Sequence, residues 1–571
     1  MNSNQLEDIY FSRPFATRNA DEYDLENILD LFVDPTDGLV GPFDYSNSII
    51  KGKMGSGKTM YLRANYAYYL YTLVPSLLDR SDIILPVYIK LSDFQNIHNP
   101  EQIYYAIIIK IIEEIVSVME HLKSADELAR LHNGAHSIGS LWTTDSILAE
   151  ILTKLKSYTC EEYVKTVSNS LSVSGNVASQ YVKLCKDYSN NEVVQMKEKG
   201  NPSFDDIVDA CKKIILPFNG KVLLLFDEVG SIDKKFFKGT KTSDSYFETL
   251  MNQLRTLSYI RTKLAVYPNS QSDILRETRY GDVVSLEEDI TLNVKKYTSF
   301  LSKTVSIIEK YIEKSIGRKC NAEFLFDISV DNQLLLEHLI NASDGNMRRL
   351  VHLLDSTLNV AFKRNRGNDK VTLEDVINTL KLQGESLESQ YNEKNRNFLN
   401  NMVTVCKNRN SYKFTFPNKS NVIEKFVSLS NEYNVINVVD NGSRRQGTVY
   451  AFDYAYCVYK DIPTHCIKNS NKIDKVRSIK TGEPIRRISR LDDDLIFQSN
   501  LPGKITGEVI FIGTKTMGFI KGSDNEQYFF DKNDVIKSDK SKKIYVGCEV
   551  RFIPSKFSSG SLYATGIELI N

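Results

Sequence analysis

The sequence KGKMGSGKTM, residues 51–60, contains the pattern of a phosphate-binding loop, or P-loop. In that pattern a glycine is followed by any four residues and then by Gly-Lys-Ser/Thr. The matching residues are Gly52, Lys53, Met54, Gly55, Ser56, Gly57, Lys58 and Thr59. Glycines at these positions let backbone N–H groups curl around an anion. The alternative is a glycine-rich turn with a solvated lysine, so the flanking sequence has to decide between the two.

The flanking residues place the loop between a strand and a helix. The apolar end of Ser46–Ile50 predicts a buried strand, and the apolar spacing in Met60–Leu78 predicts a helix. The positive end of such a helix points at the bound phosphates. Lys58 would then reach the β- and γ-phosphates, and the Thr59 hydroxyl would hold Mg²⁺. The expected cofactors are therefore ATP and Mg²⁺.

A second motif supports the nucleotide interpretation. Residues Lys221–Glu228 form an apolar run that ends in two carboxylates, as expected for a central strand of a parallel sheet. Asp227 would bind Mg²⁺ directly or through water, and Glu228 would orient and polarise the attacking water. An acidic pair after a strand can also be only a helix cap.

Composition limits the remaining classes. The 571 residues include 72 basic and 72 acidic side chains, so any nucleic-acid surface must be local. The eight cysteines show no Cys-x-x-Cys pair and form no cluster with the seven histidines, which suggests reduced thiols in a cytosolic protein. The N-terminal residues lack an apolar signal segment, and the apolar stretch Ile103–Met119 is interrupted by charges. We therefore expect a cytoplasmic protein without a membrane span.

Further along the chain, residues 82–91 predict a second buried strand, and residues 96–218 predict a mainly helical insertion. The run Leu264–Tyr267 predicts a strand that is followed by Asn269 and Ser270. Because strand carboxyl ends line the ligand crevice of a parallel α/β sheet, Asn269 is a candidate for contact with the γ-phosphate. A plain Asn-Ser turn is the alternative.

The order of P-loop, Asp-Glu strand, polar-ended strand and the Gly345–Arg348 sequence GNMR resembles the AAA+ ATPases. Within them it is most similar to the replication-initiator branch, the origin-recognition and Cdc-type ATPases, over roughly residues 20–465. The resemblance implies an α/β P-loop NTPase core (1–293), a helical lid (294–385) and a winged helix. It also implies that Arg348 touches the γ-phosphate. Either Arg255 or Arg261 would be the arginine finger offered to a neighbouring subunit of a homo-oligomer.

Residues 390–465 predict the winged helix from two helical patterns followed by two apolar runs, namely Phe398–Cys406, Val422–Asn431, Val435–Val439 and Thr448–Phe452. An Asn-Gly pair between the apolar runs is a strong hairpin signal. Arg444 and Arg445 at the tip of this hairpin could contact nucleic-acid phosphates. They could equally be charges that keep a loop soluble.

The last 106 residues predict a basic linker, 466–503, and a small C-terminal β-barrel, 504–571. Five short apolar runs predict five strands, and their residues resemble a cold-shock domain, an oligonucleotide-binding fold. The resemblance places Phe511, Phe519 and Phe529 at positions where bases stack, each worth roughly 1–3 kcal/mol. Met517 and Asp531 depart from the family pattern, and a barrel kept for structure or protein contact is the alternative.

These features together predict a cytoplasmic AAA+ ATPase that binds DNA or RNA, with the ATP state controlling conformation or assembly. One alternative is an antiphage-defence or signalling switch that senses nucleic acid and acts through a separate effector protein. Another is a translocating motor with brisk turnover on long strands.

Overall fold

The computed structural model describes most of the chain in two compact units. It covers residues 3–36, 41–79, 81–133, 147–148, 150–151, 154, 201–239, 244–267, 280–286, 294–328, 334–408, 411–415, 423, 426–427, 433–440, 448–462, 464, 488–491, 504–513, 517–531, 535, 544–556 and 562–570. The first unit comprises Met1–Phe326 and Ser343–Lys370, and the second comprises Asp327–Ala342 and Val371–Asn571.

The described residues form helices and strands in both units. The helices are α1 Ser3–Ser12, α2 Leu25–Leu31, α3 Lys58–Tyr71, α4 Leu73–Asp79, α5 Pro100–Asn133, α6 Phe204–Ile214, α7 Tyr246–Thr256, α8 Val294–Ile316, α9 Leu334–Ser343, α10 Met347–Asn365, α11 Leu373–Ser389, α12 Glu393–Asn408 and α13 Tyr454–Tyr459. The strands are β1 Ser48–Lys51, β2 Ile84–Lys90, β3 Lys221–Asp227, β4 Ile260–Val266, β5 Asp282–Ser285, β6 Lys413–Thr415, β7 Ile436–Asp440, β8 Val449–Phe452, β9 Ile488–Arg490, β10 Ile505–Ile512, β11 Met517–Gly522, β12 Gln527–Asp531, β13 Glu549–Lys556 and β14 Leu562–Leu569.

The first unit is built on a five-stranded parallel sheet in the order β2-β3-β4-β1-β5. The expected strands before the P-loop, at 82–91 and before Asp227 are β1, β2 and β3. The apolar run of β3 is buried on both faces, because successive side chains of a strand point to opposite sides. Its even-numbered residues face α5, α6 and α7, and its odd-numbered residues face α2 and α3.

The order of the strands determines what meets at the carboxyl edge of the sheet. β4 lies between β1, which leads into the P-loop, and β3, which ends at Asp227. The residue after β4, Tyr267, therefore lies between the P-loop and the acidic pair. The helix predicted for Met60–Leu78 begins two residues earlier, at Lys58, and is divided at Thr72 into α3 and α4.

The insertion predicted at 96–218 contains α5 and α6 in its described part, and residues 134–146 and 155–200 lie outside it. α5 packs one face over β2 and contributes a row of isoleucines to the core. No helix in the described ranges combines the length and hydropathy that a membrane span needs.

The second unit contains a helical layer around a four-stranded sheet of order β7-β8-β6-β9. The two apolar runs expected to form a hairpin are β7 and β8, which pair antiparallel. Phe398 and Met402 of α12 pack with Phe414 and Phe452 in the core of this region. β9, from within the stretch expected to be a linker, pairs with β6 through the backbone, which a charge count does not reveal.

The C-terminal strands β10–β14 pair in the order β10-β11-β12-β14-β13, and β13 also pairs with β10, so the sheet closes. The five runs predicted from the sequence correspond to these strands. Val509, Ile520, Phe530 and Phe552 fill the interior. On β10 and β11 the neighbours of these residues, Glu508, Ile510, Phe519 and Lys521, point outward because side chains alternate along a strand.

Candidate functional site

The P-loop connects β1 to α3 at the carboxyl edge of the parallel sheet. Gly55 and Gly57 have φ angles of 80° and 95°, in the left-handed region that glycine adopts without steric cost. A Cβ atom on Gly55 would also collide with the side chain of Asn346. The turn therefore requires glycine at both positions, and the close approach of Asn346 requires it again at Gly55.

Lys58, the first residue of α3, is 7% exposed and is held by the loop itself. Its Nζ donates hydrogen bonds to the carbonyl oxygens of Gly52, at 2.7 Å, and Lys53, at 2.8 Å. The same ammonium lies 4.1 Å from the centroid of the Tyr267 ring. The charge that would neutralise phosphate is thus fixed beside the loop, where the phosphates of a nucleotide would bind.

Asp227, at the end of β3, is 1% exposed and accepts hydrogen bonds from three directions. The Tyr88 hydroxyl donates to Oδ2 at 2.7 Å, the Glu228 N–H donates to Oδ1 at 2.8 Å, and the Thr59 hydroxyl is also bonded to this carboxyl group. Burial raises the pKa of Asp227, and the three hydrogen bonds oppose that rise. The structure brings Thr59 and Asp227, both predicted to bind metal, into contact.

Glu228 has a left-handed backbone, with φ 53° and ψ 40°. A non-glycine residue in this region costs of order 1–3 kcal/mol and persists only where its surroundings hold it. The Glu228 carbonyl accepts hydrogen bonds from both the N–H and the hydroxyl of Ser231, at 2.9 and 2.7 Å. This strained turn directs the chain away from β3 immediately after Asp227, and Glu228 lines the same cavity as the P-loop.

The start of α10 contacts the P-loop directly. The Asn346 side chain donates to the Met54 carbonyl at 2.7 Å, and the Arg348 N–H donates to the Gly55 carbonyl at 3.0 Å. Arg348 also lines the cavity. Burial, Glu228 and Asp227 raise the pKa of Tyr267 and the Arg348 charge lowers it, as expected for a guanidinium close to the ring.

One cavity of about 1360 Å³, counting the part open to solvent, is lined by most of these groups. Its polar side is formed by the P-loop, Asp227, Glu228, Tyr267 and Arg348. Its apolar side is formed by residues before the sheet and on α8 and α10, including Phe32, Val33, Phe300, Ile307, Tyr311 and Val351. A pocket with a charged end and an apolar end suits a ligand that carries phosphates on one side and a base on the other.

The side chains present fit a small hard cation such as Mg²⁺. Hydroxyl and carboxylate oxygens are its preferred protein ligands, and one or two of them are usually completed by water and substrate phosphates. Thr59 and Asp227 supply such oxygens at the mouth of the P-loop. Within the described ranges no three His, Cys, Asp or Glu side chains form a separate metal cluster.

The two arginine-finger candidates, Arg255 and Arg261, do not line this cavity. Asn269 is outside the described residues. Arg255, in the last turn of α7, lies 5.8 Å from the Tyr280 ring. Arg261 lies at the start of β4, where its guanidinium donates to the carbonyls of Ser258 and Ile260. Neither arginine lines the cavity described above, so a role for either as a finger toward another subunit stays a prediction.

In the second unit, Arg444 and Arg445 lie outside the described residues. Phe511, Phe519 and Phe529 stand side by side on three neighbouring strands, with ring centroids 6.2 and 5.9 Å apart. Phe511 is 53% exposed and the other two are partly exposed. Met517, 48% exposed, pairs with Asp531 at one end of β11.

The sequence interpretation missed Tyr88, Tyr267 and Asn346. Tyr88 lies on β2 and Tyr267 follows β4. The alternation of side chains assigns each to one face of the sheet, but only the strand order places that face beside Asp227 and Lys58. Asn346 falls inside the Gly-x-x-Arg motif, but its contact with Met54 depends on how α10 approaches the P-loop. That approach has no local sequence signal.

The parallel α/β sheet with its P-loop and following helices defines an AAA+ type of nucleotide-binding fold. Residues 13–264, somewhat less than half of the chain, match the model of the ORC-CDC6-like family, and this region has an ORC/Cdc6-like AAA+ fold. Among solved structures, an ORC2 protein from Aeropyrum pernix, determined as ADPNP and ADP complexes, is similar at 10% identity and a TM-score of 0.33. The alignment covers 76% of this chain and 89% of that chain. No curated protein gives a significant match.

Proposed function

We propose that the first unit binds and hydrolyses ATP. The observation that carries this proposal is the convergence of Lys58, Thr59, Asp227, Glu228 and Arg348 on one cavity beneath the P-loop glycines. The match of residues 13–264 to the ORC-CDC6-like family supports it. A helix cap or a glycine-rich turn would not need these five groups in one place.

Each group has a role that follows from its position. The P-loop N–H groups and Lys58 bind the phosphates, and the positive end of α3 adds to the attraction. Mg²⁺, when bound, neutralises charge on the phosphate oxygens. Glu228 accepts a hydrogen bond from the attacking water and orients it. Arg348 interacts with the terminal phosphate from α10, so that the position of α10 depends on whether that phosphate is present.

The test is nucleotide binding and phosphate release by the full chain. We expect Lys58→Ala to lose ATP binding, and Glu228→Gln to bind ATP normally but to hydrolyse it at least about 100-fold more slowly, as removal of a general base does. Lys212→Ala, on the exposed face of α6, is the matched control. Equal binding by the wild type and Lys58→Ala would contradict the assigned site.

We also propose that the second unit binds nucleic acid, with DNA favoured over RNA. The row of Phe511, Phe519 and Phe529 supports this, because exposed rings at the spacing of adjacent strands can stack successive bases. The strand order β10-β11-β12-β14-β13 with closure onto β10 also supports an oligonucleotide-binding barrel. The hairpin β7–β8 supports the winged-helix assignment, in which Arg444 and Arg445 contact phosphates.

The two proposals are linked by nucleotide state: ATP binding would change conformation or assembly into a homo-oligomer and so change nucleic-acid affinity. Binding of single-stranded DNA, duplex DNA and single-stranded RNA should be measured with ATP and with ADP at physiological salt, since salt strongly affects such binding. Tighter binding in one nucleotide state supports the link. No binding to any of the three contradicts it and favours a switch that acts through a partner protein.

A further inference from the structure

We propose that Tyr88 is a positioning residue for Asp227, holding that carboxylate in the orientation in which it supports Mg²⁺-dependent nucleotide binding. The inference rests on the ATP site proposed above and adds to it a residue outside both motifs. It comes from one contact, the hydrogen bond of 2.7 Å from the Tyr88 hydroxyl to Asp227 Oδ2.

The sheet explains why a tyrosine at position 88 reaches this carboxylate. β2 and β3 are adjacent and parallel, with Tyr88 beside Leu225 and Lys90 beside Asp227. Leu225 and Asp227 share one face of β3, and Tyr88 packs on that same face against the core under α3. Tyr88 is thus a diagonal neighbour of Asp227, a separation that a long aromatic side chain can bridge.

Tyr88 is itself held in place. Its ring meets the ring of Tyr66, on α3, edge to face, with centroids 6.1 Å apart. The hydroxyl of a tyrosine is protonated at neutral pH and is therefore available as a hydrogen-bond donor. A fixed ring and a fixed proton make the hydroxyl a directional donor to Oδ2.

The hydrogen bond from Tyr88 complements the one from the Glu228 N–H. The N–H binds Oδ1 and the hydroxyl binds Oδ2, so the two donors restrain rotation of the carboxylate about its Cβ–Cγ bond. Groups that orient metal-binding carboxylates in this way commonly change metal affinity or activity 10- to 100-fold when they are removed. Tyr88 therefore has a function that a core tyrosine without this contact would not have.

The experiment separates metal-dependent from metal-independent binding in the full-length protein. The affinity for a fluorescent, non-hydrolysable ATP analogue is measured in EDTA and then across a Mg²⁺ titration. For Tyr88→Phe we expect the EDTA affinity to stay within about two-fold of wild type and the half-saturating Mg²⁺ concentration to rise by about ten-fold. Tyr66→Phe, which removes a hydroxyl from the adjoining ring, should change neither quantity.

A double-mutant comparison provides a second measurement. Asp227→Asn should abolish the response to Mg²⁺, and adding Tyr88→Phe to that variant should have no further effect if the two residues act through one interaction. Circular dichroism spectra and melting temperatures establish that each variant is folded.

Four outcomes overturn the proposal, and they are distinguishable. A Tyr88→Phe variant with the Mg²⁺ response of wild type shows that the hydroxyl does not position Asp227. Equal weakening with and without Mg²⁺ shows that Tyr88 only supports the fold of the pocket. If the wild-type protein binds the analogue but shows no Mg²⁺ response, the metal site is wrong and nucleotide binding stands. If it binds the analogue in neither condition, the proposed ATP site is wrong as well.

Discussion

The ammonium group of Lys58 lies 4.1 Å from the centroid of the Tyr267 ring, which makes the residue after β4 a direct neighbour of the P-loop lysine. An edge of the same ring lies against the turn after Glu228, since a Cβ atom added to Gly230 would lie 2.9 Å from Tyr267 Cδ2. One aromatic side chain therefore spans the gap between the two nucleotide motifs. This follows from the position of β4 between β1 and β3.

Replacing Tyr267 should weaken ATP binding. The Tyr267 ring and two carbonyl oxygens hold the long, flexible side chain of Lys58 beside the P-loop. This pre-organisation lowers the conformational entropy that Lys58 loses when ATP binds. A cation–π contact of this kind contributes about 1 kcal/mol, so we expect Tyr267→Leu to bind ATP about five-fold more weakly. Isothermal titration calorimetry measures the difference. Tyr267→Phe keeps the ring face and should match wild type; if the Leu and Phe variants bind equally, the ring contact is unimportant.

Asn346 should couple the P-loop to α10 through one hydrogen bond and cap α10 through another, so the two roles can be tested separately. Its side-chain oxygen caps α10 by accepting the Arg349 N–H at 3.0 Å, while its side-chain nitrogen donates to the Met54 carbonyl. Asn346→Asp keeps the cap but loses the donor and places negative charge beside the phosphate site. We expect an unchanged melting temperature, because Asp caps helices as well as Asn does, and ATP binding about ten-fold weaker.

The control for this variant is Asn346→Ser, which also caps a helix but adds no charge. It should lose less ATP affinity than the Asp variant and keep the same melting temperature. A large drop in melting temperature for both variants would show that Asn346 serves only the stability of α10, and the coupling would then be wrong.

The parts of the site that could be predicted from the sequence are those with local signals. Gly52–Thr59 is recognisable because the phosphate-binding turn needs particular residues at fixed spacing, and Lys221–Asp227 because a strand buried on both faces must be apolar throughout. Tyr88 and Asn346 could not be found in this way. Their partners, Asp227 and Met54, lie 139 and 292 residues away along the chain, and such contacts depend on strand order and helix approach.

The same distinction holds in the second unit. The strands β10–β14 were predictable because short apolar runs recur at regular spacing, and β7 and β8 because an Asn-Gly pair separates two apolar runs. β6 and β9 are three residues each. Strands this short carry too few residues for a periodic pattern, and their pairing is made by backbone groups that are the same for every sequence.

The free energy of unfolding of the first unit should rise with pH above 8, because Lys263 is buried. Lys263 is 1% exposed, and its Nζ donates to the Pro42 carbonyl at 2.9 Å and to Asn65 Oδ1 at 2.7 Å. Burial lowers the pKa of Lys263 to about 8, and the Asp44 charge opposes this only in part. The unfolded chain has the ordinary pKa near 10.5, so between pH 8 and 10.5 it binds more protons than the folded state, and folding is favoured as pH rises.

The measurement compares urea unfolding of wild type and Lys263→Met at pH 7 and pH 9.5. The free energy of unfolding of wild type should rise relative to the variant by about 2 kcal/mol over this interval. Each pH unit between the folded-state pKa and the final pH contributes about 1.4 kcal/mol. The exposed Lys212→Met variant is the control and should follow wild type. A constant difference between wild type and Lys263→Met at the two pH values would contradict the low pKa.

The row of phenylalanines on the barrel gives the sharpest test of the nucleic-acid proposal. Phe511 is 53% exposed, so Phe511→Ala removes little buried surface and should leave the melting temperature within about 2 °C of wild type. If bases stack on the row, the same change should weaken single-strand binding by roughly 1–3 kcal/mol, or about 5- to 150-fold. Fluorescence anisotropy with labelled oligonucleotides measures the loss.

Tyr71→Ala, which removes a ring that is 49% exposed in the first unit, controls for the removal of any surface aromatic. Equal affinities for Phe511→Ala, Tyr71→Ala and wild type would show that the barrel does not stack bases and would favour protein contact as its role.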